Sequence, residues 1–483
     1  MSTPTPAVPG SRGDPSPAED EPGRANRWRA LTVCLVAGFM TLLDISIVNV
    51  ALPSIRTGLH MSESGMQWAL SGYALAFGLV LVPGGRLGDA YSRRAVFMTG
   101  LALFTVASAA AGAARSESWL VVARLVQGLA GGLLVPQVSG FIQQLFRGGE
   151  RGRAFGRLGS TIGFSTAVGP LLGGLLIEVF GERNGWRWVF YVNLPVGAVA
   201  LVMAYRLLPG PTARAPGRPR FDPVGVLLLG SGTLCLLLPF MQQRWHGRTK
   251  WLLLAAALLL LAAFALWERH YGRSGEPLVR MSLFESRPYA LGVLLALLYF
   301  AGFTAIFFIF SLYLQGGQRY SALLAGLSIT PFALGSAGSA LVGGRWVQRY
   351  GRRLVTAGLL LVVAGLAGAA LAVHLWAGRH VGWATAAPLL VAGIGSGLVV
   401  APNQTLTLGE VPVVRAGSAA GVLQTAQRIG SAVGIAAVGS VFFAGVAARP
   451  GDWSGAFQRG LGVALGFVVL ALLSHLWGGR SRA

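Results

Sequence analysis

Three charged residues stand inside apolar runs of this sequence. Asp44 lies in Leu43-Asp44-Ile-Ser-Ile-Val-Asn49-Val-Ala-Leu-Pro53, and Arg124 in Leu120-Val-Val-Ala-Arg124-Leu-Val-Gln127-Gly128. Asp44 is the only carboxylate deep within such a run. Burial makes the charge of a carboxylate expensive, so an intramembrane acid faces a cavity or a partner and is suited to taking up and releasing a proton. At about 1.5 Å rise per residue, Asp44 and Arg124 fall at similar depths on their helices, so the two can pair. A nearby cation favours the ionised acid, and loss of that contact favours the protonated one; switching between the two is a proton-binding cycle. The alternatives are a fixed ion pair or interhelical hydrogen bond for Asp44, and an outward-reaching anchor for Arg124. A second intramembrane cation, Arg428, has no acid of its own half at its depth. It can bind an anionic substrate group, reach a carbonyl, or pair with Asp44 in one state.

These residues must be positioned by membrane helices. Of the 483 residues, 54% are hydrophobic and only 12% charged, against about 25% charged in soluble proteins. The charges sit in short islands between fourteen apolar runs, each long enough to cross roughly 30 Å of hydrocarbon as a helix. The chain therefore reads as an all-α polytopic membrane protein. Its formal charge of +22 does not call for a nucleic acid: with both termini inside, most Lys and Arg fall on the cytoplasmic side, the positive-inside bias. The loop Arg244–Lys250 is the exception. The Trp residues lie near the ends of runs, as interfacial aromatics do. Cys34 and Cys235 stand singly in apolar runs and read as small buried hydrophobes, without disulfide or metal spacing. Lys250 is the only Lys among 39 basic residues, which with abundant Ala and Gly points to a GC-rich bacterial genome.

A ten-residue element recurs along the chain. Gly85-Arg-Leu-Gly-Asp89-Ala-Tyr-Ser92-Arg93-Arg94 and Gly344-Arg-Trp-Val-Gln348-Arg-Tyr-Gly351-Arg352-Arg353 share five of ten positions. The repeat implies two related membrane halves, which can rock about a site between them. It follows the second and the tenth run, leaving runs 222–240 and 251–267 between the halves. The expected organisation is six plus two plus six: a disordered cytoplasmic tail over 1–29, a six-helix bundle over 30–207, a linker with two extra helices over 208–287, a second bundle over 288–477 and a cytoplasmic tail over 478–483. The extra pair carries few polar groups and is expected to pack peripherally rather than to line a channel.

These motifs, in this order, resemble a major facilitator superfamily transporter of the 14-helix drug:proton antiporter family, over residues 30–477. The Asp44–Pro53 segment resembles the first-helix signature of such exporters. The Arg124 segment resembles the family's fourth-helix motif, whose Arg is associated with proton movement. Gly156, Gly169, Pro170, Gly173 and Gly174 resemble the antiporter motif, with Ser165 where the family has another Gly. Glycines at these spacings allow close helix contact, and Pro170 permits a bend. Trp186-Arg-Trp-Val-Phe-Tyr-Val-Asn193-Leu-Pro195-Val-Gly197 resembles the marker of the 14-helix exporters and reads as structure, with aromatics at headgroup depth. In the family the repeated loop forms a cytoplasmic latch; here that implies Gly85, Asp89, Arg93, Arg94, Gly351, Arg352 and Arg353, with Glu150 meeting an arginine of the first pair. Asp89 is suited to capping a facing helix N-terminus, whereas Gln348 replaces the acid in the second copy. A purely topogenic role for these charges is the alternative.

The resemblance implies a major facilitator fold with fourteen transmembrane helices and proton-coupled antiport, exporting amphipathic drugs or antibiotics across the bacterial cytoplasmic membrane by alternating access. The proton gradient supplies the energy, no cofactor is implied, and a monomer is the expected unit. The second half carries no intramembrane acid to bind a dication, so neutral, weakly basic or anionic amphipathic substrates are expected. Asn49, Tyr73, Gln127, Gln137, Tyr299, Asn403 and Arg428 are the candidates for the cavity wall, among Phe and Leu suited to planar compounds. An uptake symporter on the same fold is the main alternative. A membrane-embedded enzyme lacks a nucleophile–base or metal cluster, and ATP hydrolysis lacks a P-loop.

Overall fold

The computed structural model describes residues 21–181, 183–210, 222–241, 251–273, 275–376, 378 and 380–480. The first twenty residues of the expected tail, part of the linker and all of the Arg244–Lys250 loop lie outside the described residues. Sixteen α-helices follow one another, with turns and no strand among the described residues. The first half runs through α1 (Glu21–Leu59), α2 (Glu63–Leu87), α3 (Arg93–Gly112), α4 (Glu117–Leu145), α5 (Gly148–Phe180), α6 (Gly185–Tyr191) and α7 (Asn193–Leu207). Next come α8 (Pro223–Met241) and α9 (Leu252–Tyr271). The second half comprises α10 (Arg287–Leu312), α11 (Ala322–Tyr350), α12 (Arg352–Leu375), α13 (Val381–Ala384), α14 (Ala386–Thr407), α15 (Ala416–Ala448) and α16 (Trp453–Arg480). The helix of α1 already begins at Glu21, inside the stretch expected as tail.

By length and composition, 12 segments are apolar enough to cross a membrane. One of them, Ser64–Gly112, has 49 residues, far more than the roughly 20 that one crossing needs. It turns back at Ser92, whose backbone is extended and whose hydroxyl accepts from the Ala95 N–H. Packing confirms the reversal: Gly84 of α2 and Gly100 of α3 both lie against residues 130–134 of α4. The segment Pro223–Pro239 of α8 is apolar but shorter. The expected count of fourteen is thus matched only approximately by these criteria, while the all-α membrane class is plain. Large side chains point outward in number, among them Leu259 (72% exposed) and Trp383 (84% exposed), as a lipid-facing surface requires.

Each half has an apolar core. Phe97, Phe104, Phe141 and Phe155 pack in the first, and Ile309, Leu359, Phe442 and Phe457 in the second. The halves meet along two seams, α2 against α15 and α5 against α11. At the end bearing the repeated loops (the motif end) both seams are glycine-lined. A Cβ on Gly85 would strike the Gly417 carbonyl, and one on Gly344 would lie against Gly152 and Gly156. The first residue of each repeat is therefore the point where one half touches the backbone of the other.

The extra hairpin is not purely peripheral. Helix α8 packs against both α2 and α15, so it covers one seam, and Leu237 reaches the central cavity. Its base is anchored by two acids that the sequence places at the edges of polar linkers. Asp222 accepts from Gly225 N–H at 2.9 Å and Trp267 Nε1–H at 2.9 Å, and Glu268 accepts from Val279 N–H at 3.0 Å. Both are buried, at 3% and 2% exposure. Arg86 of α2 holds Glu276 at 2.5 Å.

Candidate functional site

Asp44 of α1 and Arg124 of α4 are brought together in the first half. Arg124 Nη1 lies 2.5 Å from Asp44 Oδ2, with both side chains buried. The same nitrogen donates to Gln127 Oε1 at 2.7 Å, and Arg124 Nε donates to the Ala69 carbonyl at 3.2 Å. Gln127 Nε2 then donates to Asp44 Oδ1 at 2.8 Å and to Ser108 Oγ at 2.8 Å. The helical spacing of Arg124 and Gln127 places both on the face of α4 that meets α1, so one helix supplies both the cation and the amide. Asn193, at the start of α7, donates from Nδ2 to Asp44 Oδ1 at 3.3 Å. The Arg124 guanidinium also sits 4.2 Å from the centre of the Tyr73 ring. A buried ion pair is sustained only when its remaining lone pairs and protons are satisfied, and four helices besides α1 supply those partners.

Ser108 and Asn193 were not legible as members of this cluster. Asn193 belongs to a segment read as purely structural, and Ser108 to an Ala-rich run. The one signal was chemical: a carboxamide within an apolar run needs a hydrogen-bond partner. In the same segment Trp186 is fully buried, in one apolar cluster with Ile47, Leu120 and Phe190. Arg187 instead binds the carbonyls of Gly112 and Ala114, at 2.7 and 2.8 Å, and closes the end of α3.

Between the halves lies a cavity of about 450 Å³. Its wall comes from both halves and from α8, with Phe77, Phe300 and Phe303 as aromatic surfaces and Gln404, Gln424, Gln427 and Arg428 as polar groups. Among the described residues no carboxylate lines it. Gln404 and Gln424 line the wall beside the cation, and their Oε1 atoms are buried with no hydrogen-bond partner. Arg428 stands 4.5 Å from the centre of the Phe77 ring.

Of the seven residues expected on this wall, only Arg428 lines it. The other six are engaged or turned elsewhere. Gln127 is held in the Asp44 cluster, and Tyr73 lies under Arg124. Gln137 donates to the Gly84 carbonyl at 2.7 Å, and Asn403 to the Gly292 carbonyl at 3.0 Å. Tyr299 is buried against Phe300 and Phe303, and Asn49 faces outward. Polarity in an apolar run identifies a residue that needs a partner, but not whether that partner is backbone or substrate.

At the motif end, Asp89 caps a helix of the opposite half. Its carboxylate accepts from Gly417 N–H at 3.0 Å and Ser418 N–H at 2.8 Å, in the first turn of α15, where no local side chain caps the helix. Arg93 holds Asp89 at 2.8 Å and also donates to Gln144 Oε1 and the Val413 carbonyl. Arg94 binds the Tyr205 carbonyl, and Glu150 lies 3.8 Å from Arg27. In the second copy Gln348 lies beside Gly148 and Gly149 at the start of α5, which likewise lacks a side-chain cap. Gly351 takes a positive φ of 49°, a conformation that favours glycine. Arg352 reaches the carbonyls of His475 and Gly478, while Arg353 is exposed.

The glycines of α5 divide between two neighbours. Gly156 abuts Ala340 and Gly344 of α11, whereas Gly169 and Gly173 abut Ser46, Ile47 and Val50 of α1. Pro170 lies against Gly326 of α11, and Gly174 faces open space. Helix α5 thus contacts both α1, which carries Asp44, and the opposite half.

Comparison with known proteins agrees with this architecture. The family model of the Major Facilitator Superfamily matches residues 34–435. A probable actinorhodin transporter of Streptomyces coelicolor is 38% identical over 435 residues, covering 89% of this chain and 75% of that protein. The puromycin resistance protein of Streptomyces alboniger is 37% identical over 434 residues, covering 88% and 84%. A tetracenomycin C resistance and export protein of Streptomyces glaucescens is 34% identical over 435 residues, covering 89% and 78%. Among solved structures, the human organic anion transporter MFSD10 superposes with a TM-score of 0.67 at 17% identity, covering 93% of this chain and 99% of that one, a likeness of fold.

Proposed function

The chain belongs to the Major Facilitator Superfamily, and on that premise we propose that it is a proton-coupled antiporter exporting amphipathic antibiotics by alternating access. It is a multi-pass membrane transporter and not an enzyme. The reading places it in the bacterial cytoplasmic membrane as a monomer, with both termini and the motif end cytoplasmic. The two six-helix bundles move about the central cavity, and the extra hairpin stays with the α2–α15 seam.

The observation that carries the reading is the separation of two sites. Asp44 is buried and paired in the first half, while no carboxylate among the described residues lines the cavity between the halves. Proton and substrate then have different binding groups. Asp44 takes a proton from outside and releases Arg124; release of that proton inside restores the pair. Substrate rests on Phe77, Phe300 and Phe303, with the amides of Gln404, Gln424 and Gln427 as the polar groups beside it. The absence of an acid favours neutral, weakly basic or anionic amphipathic compounds over dications. The relatives are named for antibiotic resistance and export, which supports the exporter reading. The contacts of Asp89 with α15 act as the latch that holds the motif end closed, and Gly156, Gly169, Pro170, Gly173 and Gly174 let α5 pivot without opening a proton leak.

The test is accumulation of planar dyes and antibiotics, puromycin and tetracenomycin C among them, in a pump-deficient host. Wild type should lower accumulation, and both a protonophore and Asp44→Asn should abolish the effect at equal expression. Export by Asp44→Asn at the wild-type level would refute the proton site. Raised accumulation with wild type would refute the direction of transport.

A further inference from the structure

Four side chains form a continuous stack from the buried ion pair to the cavity. Arg124 lies 4.2 Å from the centre of the Tyr73 ring, Tyr73 and Phe77 stack with centres 6.0 Å apart at 28°, and Arg428 lies 4.5 Å from the centre of Phe77. One end is the partner of Asp44, and the other end is the cation on the cavity wall. Both rings sit on α2, four residues apart and so on one face. They are pressed against α4 at Gly131, where a Cβ would stand 2.9 Å from Phe77 and 3.3 Å from the Tyr73 hydroxyl. That hydroxyl is buried and has no hydrogen-bond partner, so no hydrogen bond of its hydroxyl fixes the Tyr73 ring; it is held by its faces. The charges acting on it are Asp44, Arg124 and Arg428.

From this geometry we propose that Tyr73 and Phe77 are positioning residues that couple the cavity to the proton site. The proposal rests on the reading of Asp44 as that site. When Asp44 is ionised, Arg124 is shared between the carboxylate and the Tyr73 face. When Asp44 takes a proton, Arg124 loses its anion and keeps the neutral holds of Gln127 Oε1, the Ala69 carbonyl and the Tyr73 face, of which the cation–π attraction is the one that leads toward the cavity. The guanidinium then shifts against Tyr73, and Tyr73 against Phe77. A substrate ring laid on Phe77, or a group that draws Arg428 away from it, acts on the same stack from the other end. Substrate and proton each favour a different arrangement of the rings, which is the mutual exclusion an antiporter needs. The groups around Asp44 are Arg124 and Gln127 from α4, Asn193 from α7, Tyr73 from α2 and, through the stack, Arg428 from α15.

The experiment uses the full chain in detergent micelles and no transported ligand. Infrared difference spectroscopy follows the carboxyl band that disappears in Asp44→Asn, giving the midpoint of its titration. It is measured in wild type, Arg428→Gln, Phe77→Leu and the double variant. Arg428→Gln should displace the midpoint by about one pH unit, tenfold in proton affinity, when Phe77 is present. The same substitution should change the affinity less than about twofold on the Phe77→Leu background, within ordinary additivity of uncoupled sites. Equal displacements on both backgrounds, or none in wild type, overturn the coupling role, because a direct field from Arg428 needs no ring. Phe77→Met replaces Phe77→Leu if the latter does not fold, and Phe77→Tyr should restore the displacement. A wild-type protein with no titrating Asp44 band would overturn the proton site itself, and the stack's role with it.

Discussion

Asp89 and Ser418, 329 positions apart in the chain, are joined by a hydrogen bond of 2.8 Å from the Ser418 N–H to the Asp89 carboxylate. An acid of one half thereby serves as the N-terminal cap of a helix of the other half. The equivalent position of the second repeat is Gln348, beside an uncapped α5. The two seams are alike in backbone but unlike in charge.

That asymmetry predicts opposite effects for two substitutions. Asp89→Asn keeps one acceptor and loses the charge facing the helix end, an interaction of about 0.3–1 kcal/mol and up to about 2 kcal/mol when partly buried. Spin labels across the α2–α15 seam should show the motif-end-closed population falling by about fivefold. Gln348→Asp should add a cap at α5 and raise that population by a similar factor, slowing export. Unchanged distance distributions in both variants would show that glycine contact alone closes this end.

Arg124 should be the most costly residue to remove. Arg124→Gln leaves Asp44 buried without its cation, a loss of about 3–5 kcal/mol when one partner of a buried pair is deleted. Asp44→Asn should cost less, because the Arg124 guanidinium keeps Gln127 Oε1 and the Ala69 carbonyl as acceptors and gains the new amide oxygen in place of a carboxylate oxygen. Thermal unfolding in micelles should rank the variants in that order, and Arg124→Lys should fall between them, since Lys cannot reproduce the separate bonds to Ala69, Asp44 and Gln127.

The glycines of α5 should not behave alike. Gly156→Ala would put a Cβ 2.8 Å from the Ala340 carbonyl and 3.0 Å from Gly344 Cα. Both neighbours are backbone, so α5 and α11 must separate, with an overpacking cost of about 1–3 kcal/mol and a loss of export. Gly174→Ala meets nothing within 4 Å and should be neutral or stabilising by up to about 1 kcal/mol through helix propensity. Export assays and circular-dichroism melts of the pair separate packing from sequence pattern.

Leu237 should alter selectivity although it belongs to the extra hairpin. Leu237→Trp fills part of the cavity and should lower resistance to large planar compounds by about tenfold while sparing small ones, a difference of roughly 1.4 kcal/mol. Minimal inhibitory concentrations across a size-graded panel would measure it. Equal change for all compounds would make Leu237 a packing residue of the α2–α15 seam.

The sequence by itself determined the class, the repeat and the chemistry at stake. Long apolar runs have one stable solution in lipid, because helices satisfy their own backbone. A carboxylate and a guanidinium at similar depth in such runs are each too costly to leave alone, which made Asp44 and Arg124 conspicuous. Tertiary structure decided which other groups meet them. Asn193 joins Asp44, and Ser108 joins Gln127, across helices far apart in the chain, whereas Gln137 and Asn403 spend their amides on backbone carbonyls. It also decided that α8 contributes Leu237 to the cavity and that Tyr73 and Phe77 lie stacked between two guanidiniums. Helical periodicity fixes which residues share a face. The direction that face takes depends on how fourteen apolar runs pack, and in a membrane nearly every face of every run is apolar enough to be either core or surface.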